Sequence, residues 1–236
     1  MADPSTTNHF KNQLLRALPP EDFEQLTPHL EKLDLPLGKT LSRSNEPIEY
    51  LYFPDDAMIS VVAMTAEGQS VEVGVAGFEG VAGFDVLLGV DSTPNESMIQ
   101  LPGSGTRIKT AQAREEFRRG GAFQAMILRY IHTFMTQISQ TALCNRLHST
   151  EQRLSRWLLM CHDRAESDKL NLTQEFLSIM LGAHRPSITT SALVLQSSGF
   201  INYRRGRITI LDREGLEDFT CNCYHIVRRV DDKLPE

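Results

Sequence analysis

Residues 172–211 read LTQEFLSIMLGAHRPSITTSALVLQSSGFINYRRGRITIL, and the first part of this stretch has the pattern of a short helix. Thr173 is predicted to cap it, because a threonine hydroxyl can accept a hydrogen bond from a free backbone N–H. Phe176, Ile179 and Met180 recur at helical spacing, which predicts one buried face. The helix is therefore expected to pack on a neighbour through these three side chains.

A second helix is predicted after the turn at Gly182. Pro186 lies in its first turn, where the missing N–H is not needed. Ile188, Ala192 and Leu195 provide an apolar side that packs inward. The short polar side chains expected to face outward are Ser187, Thr189, Thr190 and Ser191.

Residues 200–203 and 207–211 alternate like two strands, joined by a turn that contains Gly206. This order of helix, turn, helix and basic hairpin is the pattern of a winged helix-turn-helix, whose second helix enters the DNA major groove. The alternative is a small helical subdomain with a solvated basic loop. The coincidence of cap, glycine, proline and hairpin favours the winged motif.

The winged motif predicts a division of labour among its polar residues. Arg185 is expected to read guanine through O6 and N7, because a guanidinium offers two parallel donors. His184 either contacts a phosphate or only caps the second helix. Further expected DNA contacts come from Thr173 to a phosphate, from Ser187, Thr189 and Thr190 to bases or phosphates, and from Arg204, Arg205 and Arg207 to the backbone.

The charge of the chain is unevenly distributed. Its 236 residues carry 24 Lys+Arg and 30 Asp+Glu, a net charge of −6, of which residues 1–121 contribute −8 and residues 122–236 contribute +2. Residues 172–211 have four arginines and one glutamate, a net charge of +3. Phosphates respond to charge within a Debye length of about 8 Å, so the acidic half is expected to lie away from DNA.

Composition and cysteine content set the broad class. The chain has the composition of a globular protein of two ordinary domains, with neither a signal-peptide pattern nor an apolar run of roughly 20 residues, which predicts a cytoplasmic protein without membrane association. Four cysteines are too few and too scattered for a disulfide framework. Cys221 and Cys223, with His225 nearby, lack the second ligand pair of a strong zinc motif. No metal and no cofactor are therefore predicted.

Further elements are predicted before and after the winged motif. Leucine spacing over residues 10–35 predicts short helices, and short runs with turn residues over 37–109 predict an antiparallel β domain that includes a short helix near 81–88. Another helix is expected over residues 149–165, before the winged motif, and a single helix is expected over residues 212–230, after it. The predicted strands are Tyr50 to Phe53, Met58 to Met64, Ser70 to Val75 and Ser97 to Leu101.

A long helix is predicted over residues 123–145, which contain neither proline nor glycine. Its apolar stripe either packs on the β domain or forms the seam between two subunits. Helix-turn-helix proteins bind as dimers to half-sites about 34 Å apart, which favours the seam. The residues of the predicted dimer interface are Ile127, Ile131, Phe134, Ile138 and Thr141.

Three segments resemble the CRP/FNR-type bacterial transcription regulators: GFEGVAGFDVLLG at 77–89, LTQEFLSIMLGAHRPSITT at 172–190 and NYRRGRITILDREGLE at 202–217. The resemblance implies an α+β protein with a jelly-roll-like β-roll and N-terminal helices over 1–121, a dimerisation helix over 122–148 and a DNA-binding domain over 149–236. It also implies a homodimer on palindromic DNA, with RNA polymerase as a partner and with either an unknown small-molecule effector at the β-roll or none.

The chain departs from the family at the ligand site. Cyclic-nucleotide-binding members use a Gly-Glu pair for the ribose and an Arg followed by Ser or Thr for the phosphate, whereas this chain has Gly83-Phe84 and residues 94–97, Pro-Asn-Glu-Ser. A buried anion needs a cation, so cyclic AMP is not expected to bind. The residues assigned to an effector pocket are Glu79, Phe84, Asp85, Asn95, Glu96 and Ser97.

Other chemistries have less support in the sequence. The iron–sulfur members use N-terminal cysteines, and this chain has none before Cys144. The competing function is a small-molecule-binding or enzymatic β-barrel whose helical module mediates protein contacts. No nucleophile, paired-carboxylate or metal spacing favours catalysis, so a non-enzyme is predicted.

Overall fold

The computed structural model describes residues 10–165 and 167–234 of the chain, so parts of the predicted first and last domains lie outside the described residues. It begins with two short helices, α1 (Gln13–Arg16) and α2 (Pro20–Leu26), and a 3-10 turn at Thr27–His29. Asn12 anchors this segment, because its Nδ2 donates to the carbonyls of Pro54 and Gly80 at 2.9 Å each.

An antiparallel β domain follows, as predicted. Its strands are β1 (Glu31–Leu35), β2 (Thr40–Ser42), β3 (Tyr50–Pro54), β4 (Met58–Met64), β5 (Ser70–Ala76), β6 (Glu96–Leu101) and β7 (Gly103–Lys109). They form two sheets with the strand orders β1-β7-β3 and β2-β6-β4-β5, and a 3-10 helix at Phe84–Leu88 lies between β5 and β6. The prediction of helix as far as residue 35 is wrong at its end, because residues 31–35 form β1, and the pairing of β1 with β7 overrides the leucine spacing.

Three helices connect the β domain to the C-terminal part. They are α3 (Thr110–Arg119), α4 (Gly121–Leu147) and α5 (Thr150–Arg164). The 27 residues of α4 correspond to a length of about 40 Å. Ser149 and Gln152 form a reciprocal capping box at the start of α5, which explains the sharp break after α4.

The C-terminal part has the winged architecture. Its elements are β8 (Lys169–Asn171), α6 (Gln174–Leu181), α7 (Arg185–Ser197), β9 (Ile201–Arg204), β10 (Arg207–Ile210), α8 (Arg213–Phe219) and α9 (Cys223–Asp231). The three strands form a small sheet of order β8-β10-β9. The predicted single helix over 212–230 is wrong, because the chain leaves helical geometry at residues 220–222. Of the two resulting helices, α8 packs on α5, and α9 packs on α4 and also contacts α5.

The four-stranded sheet is buried on both faces. Ile59 and Ile99 belong to the core that also contains α4. Met58 and Val62 point the other way, into the core of the C-terminal part, as the period-two alternation of a strand requires. The winged part is therefore packed directly on the β domain in an α+β architecture.

Candidate nucleic-acid interface

Helices α6 and α7 form the predicted helix-turn-helix. The Thr173 hydroxyl accepts a 3.1 Å hydrogen bond from the Phe176 N–H, which caps α6 as expected. Gly182 ends α6 with a φ of 53°, a left-handed conformation that glycine adopts without a Cβ clash. Helix α7 then begins at Arg185, with His184 at the N-cap, and buries Ile188, Ala192 and Leu195.

At its N-terminal end, the outward face of α7 carries short polar side chains beside Arg185. Arg185, Ser187 and Thr190 are exposed and Thr189 is half-buried. The hydroxyls of Thr189 and Thr190 donate to the carbonyls of Arg185 and Pro186 at 3.1 Å each. Their oxygens can still accept hydrogen bonds from a ligand.

Two residues of the motif do not lie where the sequence predicted. Ser191 is buried and donates a 3.0 Å hydrogen bond to Oε1 of Glu151, because it lies on the side of α7 that faces α5. Ile179 is exposed, whereas Leu177 is buried in its place. The buried face of α6 is thus centred on Leu177, Met180 and Leu181, one residue out of phase with the prediction.

The wing is a tight hairpin. Its turn consists of Arg205 and Gly206, with φ values of 51° and 75°, the positive pair that favours a type I′ turn. The Gly206 carbonyl accepts a 2.9 Å hydrogen bond from the Leu172 N–H, so the wing tip lies beside Thr173. Arg204, Arg205 and Arg207 are all exposed.

The wing is also fixed to α7. The Gln196 side chain accepts a 2.8 Å hydrogen bond from the Tyr203 N–H, and the Tyr203 hydroxyl donates to the Leu172 carbonyl at 3.1 Å. These contacts, which the sequence did not indicate, hold the hairpin against the helix-turn-helix. The result is a continuous exposed surface that carries Arg185 and the wing arginines.

The residues assigned to an effector pocket have partners within the protein. Glu79 accepts hydrogen bonds from Nη2 and Nε of Arg164 at 2.6 and 2.9 Å, and both side chains are buried. The Phe84 ring packs edge-on against Tyr130 and Phe134, with centroid distances of 5.8 and 5.2 Å. An aromatic ring therefore occupies the space between the 3-10 helix and α4.

The other four residues lie around this region. Asp85 is half-buried, and burial raises the pKa of its carboxyl group. Glu96 accepts a 3.2 Å hydrogen bond from the Thr40 hydroxyl, and Ser97 is buried on β6. The Asn95 N–H donates to the Thr93 hydroxyl oxygen at 3.4 Å.

The predicted dimer stripe is largely wrong. Ile127, Ile131 and Phe134 are buried within the chain, on the face of α4 that covers the β domain. Close packing requires Gly74, because a Cβ there would lie 2.7 Å from the Phe134 ring. Thr141 is half-buried and accepts a 3.1 Å hydrogen bond from Arg156.

Helix α4 is apolar on two faces, which explains the error. Of the predicted stripe, Ile138 lies on the exposed side, together with apolar residues that the sequence did not single out. A single spacing rule cannot tell which face packs inside the chain. The exposed apolar side chains of α4 are Leu128, Met135, Ile138, Leu143 and Leu147.

Three cysteines and one histidine meet at the end of α4. Cys144 and His148 are four residues apart on one side of the helix terminus, and the break between α8 and α9 brings Cys221 and Cys223 to them. The cysteines are scattered along the sequence, but three of the four lie together in the folded chain. His225 is not part of the group, because its ring packs on Tyr224 at 5.2 Å.

The structure thus combines a β-roll, a long connecting helix and a winged helix-turn-helix in one chain. Residues 152–219 match the Crp-like helix-turn-helix domain family. The chain therefore carries a Crp-like helix-turn-helix domain and has the fold of the CRP/FNR-family transcription regulators. None of the helices in the described ranges has the length and apolar character needed to span a membrane.

Several solved structures share this fold at low sequence identity. A protein from Eubacterium rectale, described as a transcriptional regulator of the Crp/Fnr family, is 17% identical with a TM-score of 0.70, covering 89% of this chain and 98% of its own. FixK2 from Bradyrhizobium japonicum is 13% identical with a TM-score of 0.69, covering 81% and 98%. The c-di-GMP-responsive regulator CLP from Xanthomonas campestris is 15% identical with a TM-score of 0.64, covering 81% and 99%. No curated protein sequence matches the chain.

Proposed function

We propose that this protein is a homodimeric, sequence-specific DNA-binding regulator of transcription that acts in the cytoplasm and has no enzymatic activity. The observation that carries the proposal is the exposed N-terminal end of α7, where Arg185 and short polar residues lie beside an arginine wing. A recognition helix needs this arrangement, because short side chains let its backbone approach the base edges.

Each part of this surface has a distinct role in the proposal. Arg185 reads guanine, and Ser187, Thr189 and Thr190 contact bases or phosphates near it. Arg204, Arg205 and Arg207 bind the sugar-phosphate backbone, as does Thr173 at the start of α6. His184, exposed at the N-cap of α7, is the remaining candidate for a phosphate contact.

Dimerisation is assigned to the exposed face of α4. Leu128, Met135 and Ala142 are seven residues apart and exposed, and Ile138 lies beside them, the spacing of a helix pair that packs in parallel. The α7 helices of the two subunits would then enter successive major grooves, about 34 Å apart, of a palindromic site. RNA polymerase is the proposed protein partner at that site. The functional units are 1–121 for sensing, 122–148 for dimerisation and 149–236 for DNA binding.

The signal is either an unidentified small molecule at the β-roll or none. Cyclic AMP is disfavoured, because Phe84 fills the position of the ribose-binding carboxylate with a ring that is packed on Tyr130 and Phe134. The segment 94–97 supplies no cation for a cyclic phosphate. The packing of the winged part on the β-roll offers a direct route from a sensed signal to the DNA-binding surface.

The proposal is tested by selecting bound fragments from genomic DNA with the purified full chain. We expect one enriched sequence with two-fold symmetry and half-sites one helical turn apart. Fluorescence anisotropy should then give an affinity at least about 1,000-fold higher for that site than for a scrambled duplex. Failure to enrich any sequence, or equal binding to both duplexes at low salt, would overturn the proposal.

A further inference from the structure

The side chains gathered at the end of α4 are arranged like a metal-binding group. The Sγ atoms of Cys144 and Cys221 are 3.5 Å apart, and Cys223 Sγ lies 3.6 Å from Nδ1 of His148. All four ligand atoms lie within 4.8 Å of one another. Such convergence from two distant parts of the chain is a property of the fold, since the two cysteine regions are 77 residues apart.

The 3.5 Å Cys144–Cys221 separation and the 3.6 Å Cys223–His148 separation fit tetrahedral zinc. A Zn–S bond of about 2.3 Å and a Zn–N bond of about 2.0 Å place neighbouring ligand atoms of a tetrahedron roughly 3.5 to 3.8 Å apart. Three cysteines and one histidine form a common ligand set of structural zinc sites. We infer a structural Zn²⁺ site whose ligands are Cys144, His148, Cys221 and Cys223.

The surroundings of the site match the charge of the complex. Zn²⁺ with three thiolates and a neutral imidazole carries a net charge of −1, and the three thiol protons go to solvent on binding. Arg156 is buried, donates to Thr141 one helical turn before Cys144, and its charge acts on the Cys144 thiol. In the described part of the chain its Nε has no hydrogen-bond partner. A buried cation beside a thiolate cluster compensates its charge.

The position of the site assigns its role. Cys144 and His148 end the long helix immediately before the Ser149 cap of α5, and Cys221 and Cys223 flank the break between α8 and α9. The ion would fasten the C-terminal helix to the joint between α4 and α5. The site therefore stabilises the junction through which the winged part is attached to the long helix.

The site is tested on the full chain purified under reducing conditions. We expect about one zinc per chain by elemental analysis, and removal of zinc by a chelator should lower the melting temperature by about 5 °C. Cobalt(II) added to the metal-free protein should produce the intense visible bands of a tetrahedral site and a thiolate-to-cobalt charge-transfer band. None of these three measurements involves DNA, so their outcome is independent of the proposed regulatory function.

Variants locate the ligands. Cys221→Ala and Cys144→Ala should lose the zinc and the cobalt spectrum, while Cys161→Ala, at an equally buried cysteine outside the group, should keep both. Wild-type protein that retains no zinc and gives no tetrahedral cobalt spectrum would overturn the inference, whatever the variants do. If such metal-free protein forms a Cys144–Cys221 disulfide once the reductant is removed in air, the group is a redox pair instead.

Discussion

The indole Nε1 of Trp157 donates a 2.8 Å hydrogen bond to Oε1 of Glu72. This contact joins α5 to β5, and Ser60 donates to the other carboxylate oxygen at 2.6 Å. Glu72 and Trp157 are both buried, at 6% and 5% exposure. The Glu72 carboxylate thus lies between the winged part and the four-stranded sheet on which the winged part packs.

Glu72 makes the junction between the two parts sensitive to pH. Burial raises the pKa of its carboxyl group from 4.5 to about 7, although Ser60 and Trp157 donate hydrogen bonds to it. An acid whose pKa is raised by folding stabilises the protein fully below its unfolded pKa, and this contribution is lost as the pH rises through the folded pKa. In the wild type, the free energy of unfolding should therefore fall by about 3 kcal/mol between about pH 4.5 and pH 8. Glu72→Gln should abolish this fall.

Urea unfolding at a series of pH values measures this effect. The stability difference between Glu72→Gln and wild type should move in favour of the variant as the pH rises. Glu24→Gln, an exposed control, should show no such trend. A difference that is constant across the range would show that Glu72 does not titrate at the junction.

The buried ion pair of Arg164 and Glu79 predicts non-additive mutations. Arg164→Met leaves the Glu79 carboxylate without its partner and should destabilise the protein by about 3 to 5 kcal/mol. Adding Glu79→Gln should recover part of this loss, because the uncompensated charge is then removed. Glu31→Gln, in the exposed ion pair of Glu31 with Arg107, should cost less than about 1 kcal/mol. Urea denaturation of the single and double variants measures the coupling, and strict additivity would contradict it.

Local patterns predicted the fold well. The strands β3 to β6 start and end within one or two residues of the predicted runs, and Thr173, Gly182 and Ser149 act at helix ends. Each of these signals depends on a few neighbouring residues. The hairpin turn at residues 205–206 was predictable for the same reason.

Long-range packing was not predictable from such patterns. The spacing of α4 is compatible with two apolar faces, and only the fold shows that Phe134 covers Gly74 while Met135 stays exposed. Cys144 and His148, four residues apart near the predicted helix end, were a second signal for the cysteine group besides the Cys221 and Cys223 pair. Their partners come from a helix break at residues 220–222 that tertiary packing produces.

The exposed apolar face of α4 is the proposed dimer interface, so a charge placed on it should prevent dimerisation. Met135→Glu places a charge in the proposed seam at a side chain that is 61% exposed in the single chain, so the dimer should dissociate while the fold persists. Analytical ultracentrifugation should show an increase of at least about 100-fold in the dimer dissociation constant. Leu88→Glu, at a 55% exposed leucine outside α4, is the matched control and should stay dimeric. Equal dissociation of both variants, or of neither, would place the interface elsewhere.

The Phe84 cluster predicts the response to cyclic AMP. Isothermal titration should show no saturable binding up to about 1 mM, because the pocket offers no cation for the phosphate. Phe84→Ala removes the ring and should destabilise the protein by about 3 to 5 kcal/mol. It should still not bind, since space alone does not replace the missing charge. Micromolar affinity in the wild type, with a matching gain in DNA binding, would refute this prediction.

Arg185 and Arg205 separate base reading from backbone binding. Arg185→Ala should weaken binding to the selected site by about 1 to 3 kcal/mol and relax the preference at one base pair of each half-site. Arg205→Ala should weaken binding to the selected and scrambled duplexes alike and reduce the slope of log K against log salt by about 1. Anisotropy titrations of both variants against both duplexes over a salt series distinguish the two effects. The same loss on both duplexes in both variants would mean that Arg185 does not read a base, because a contact to the phosphate backbone carries no direct sequence information.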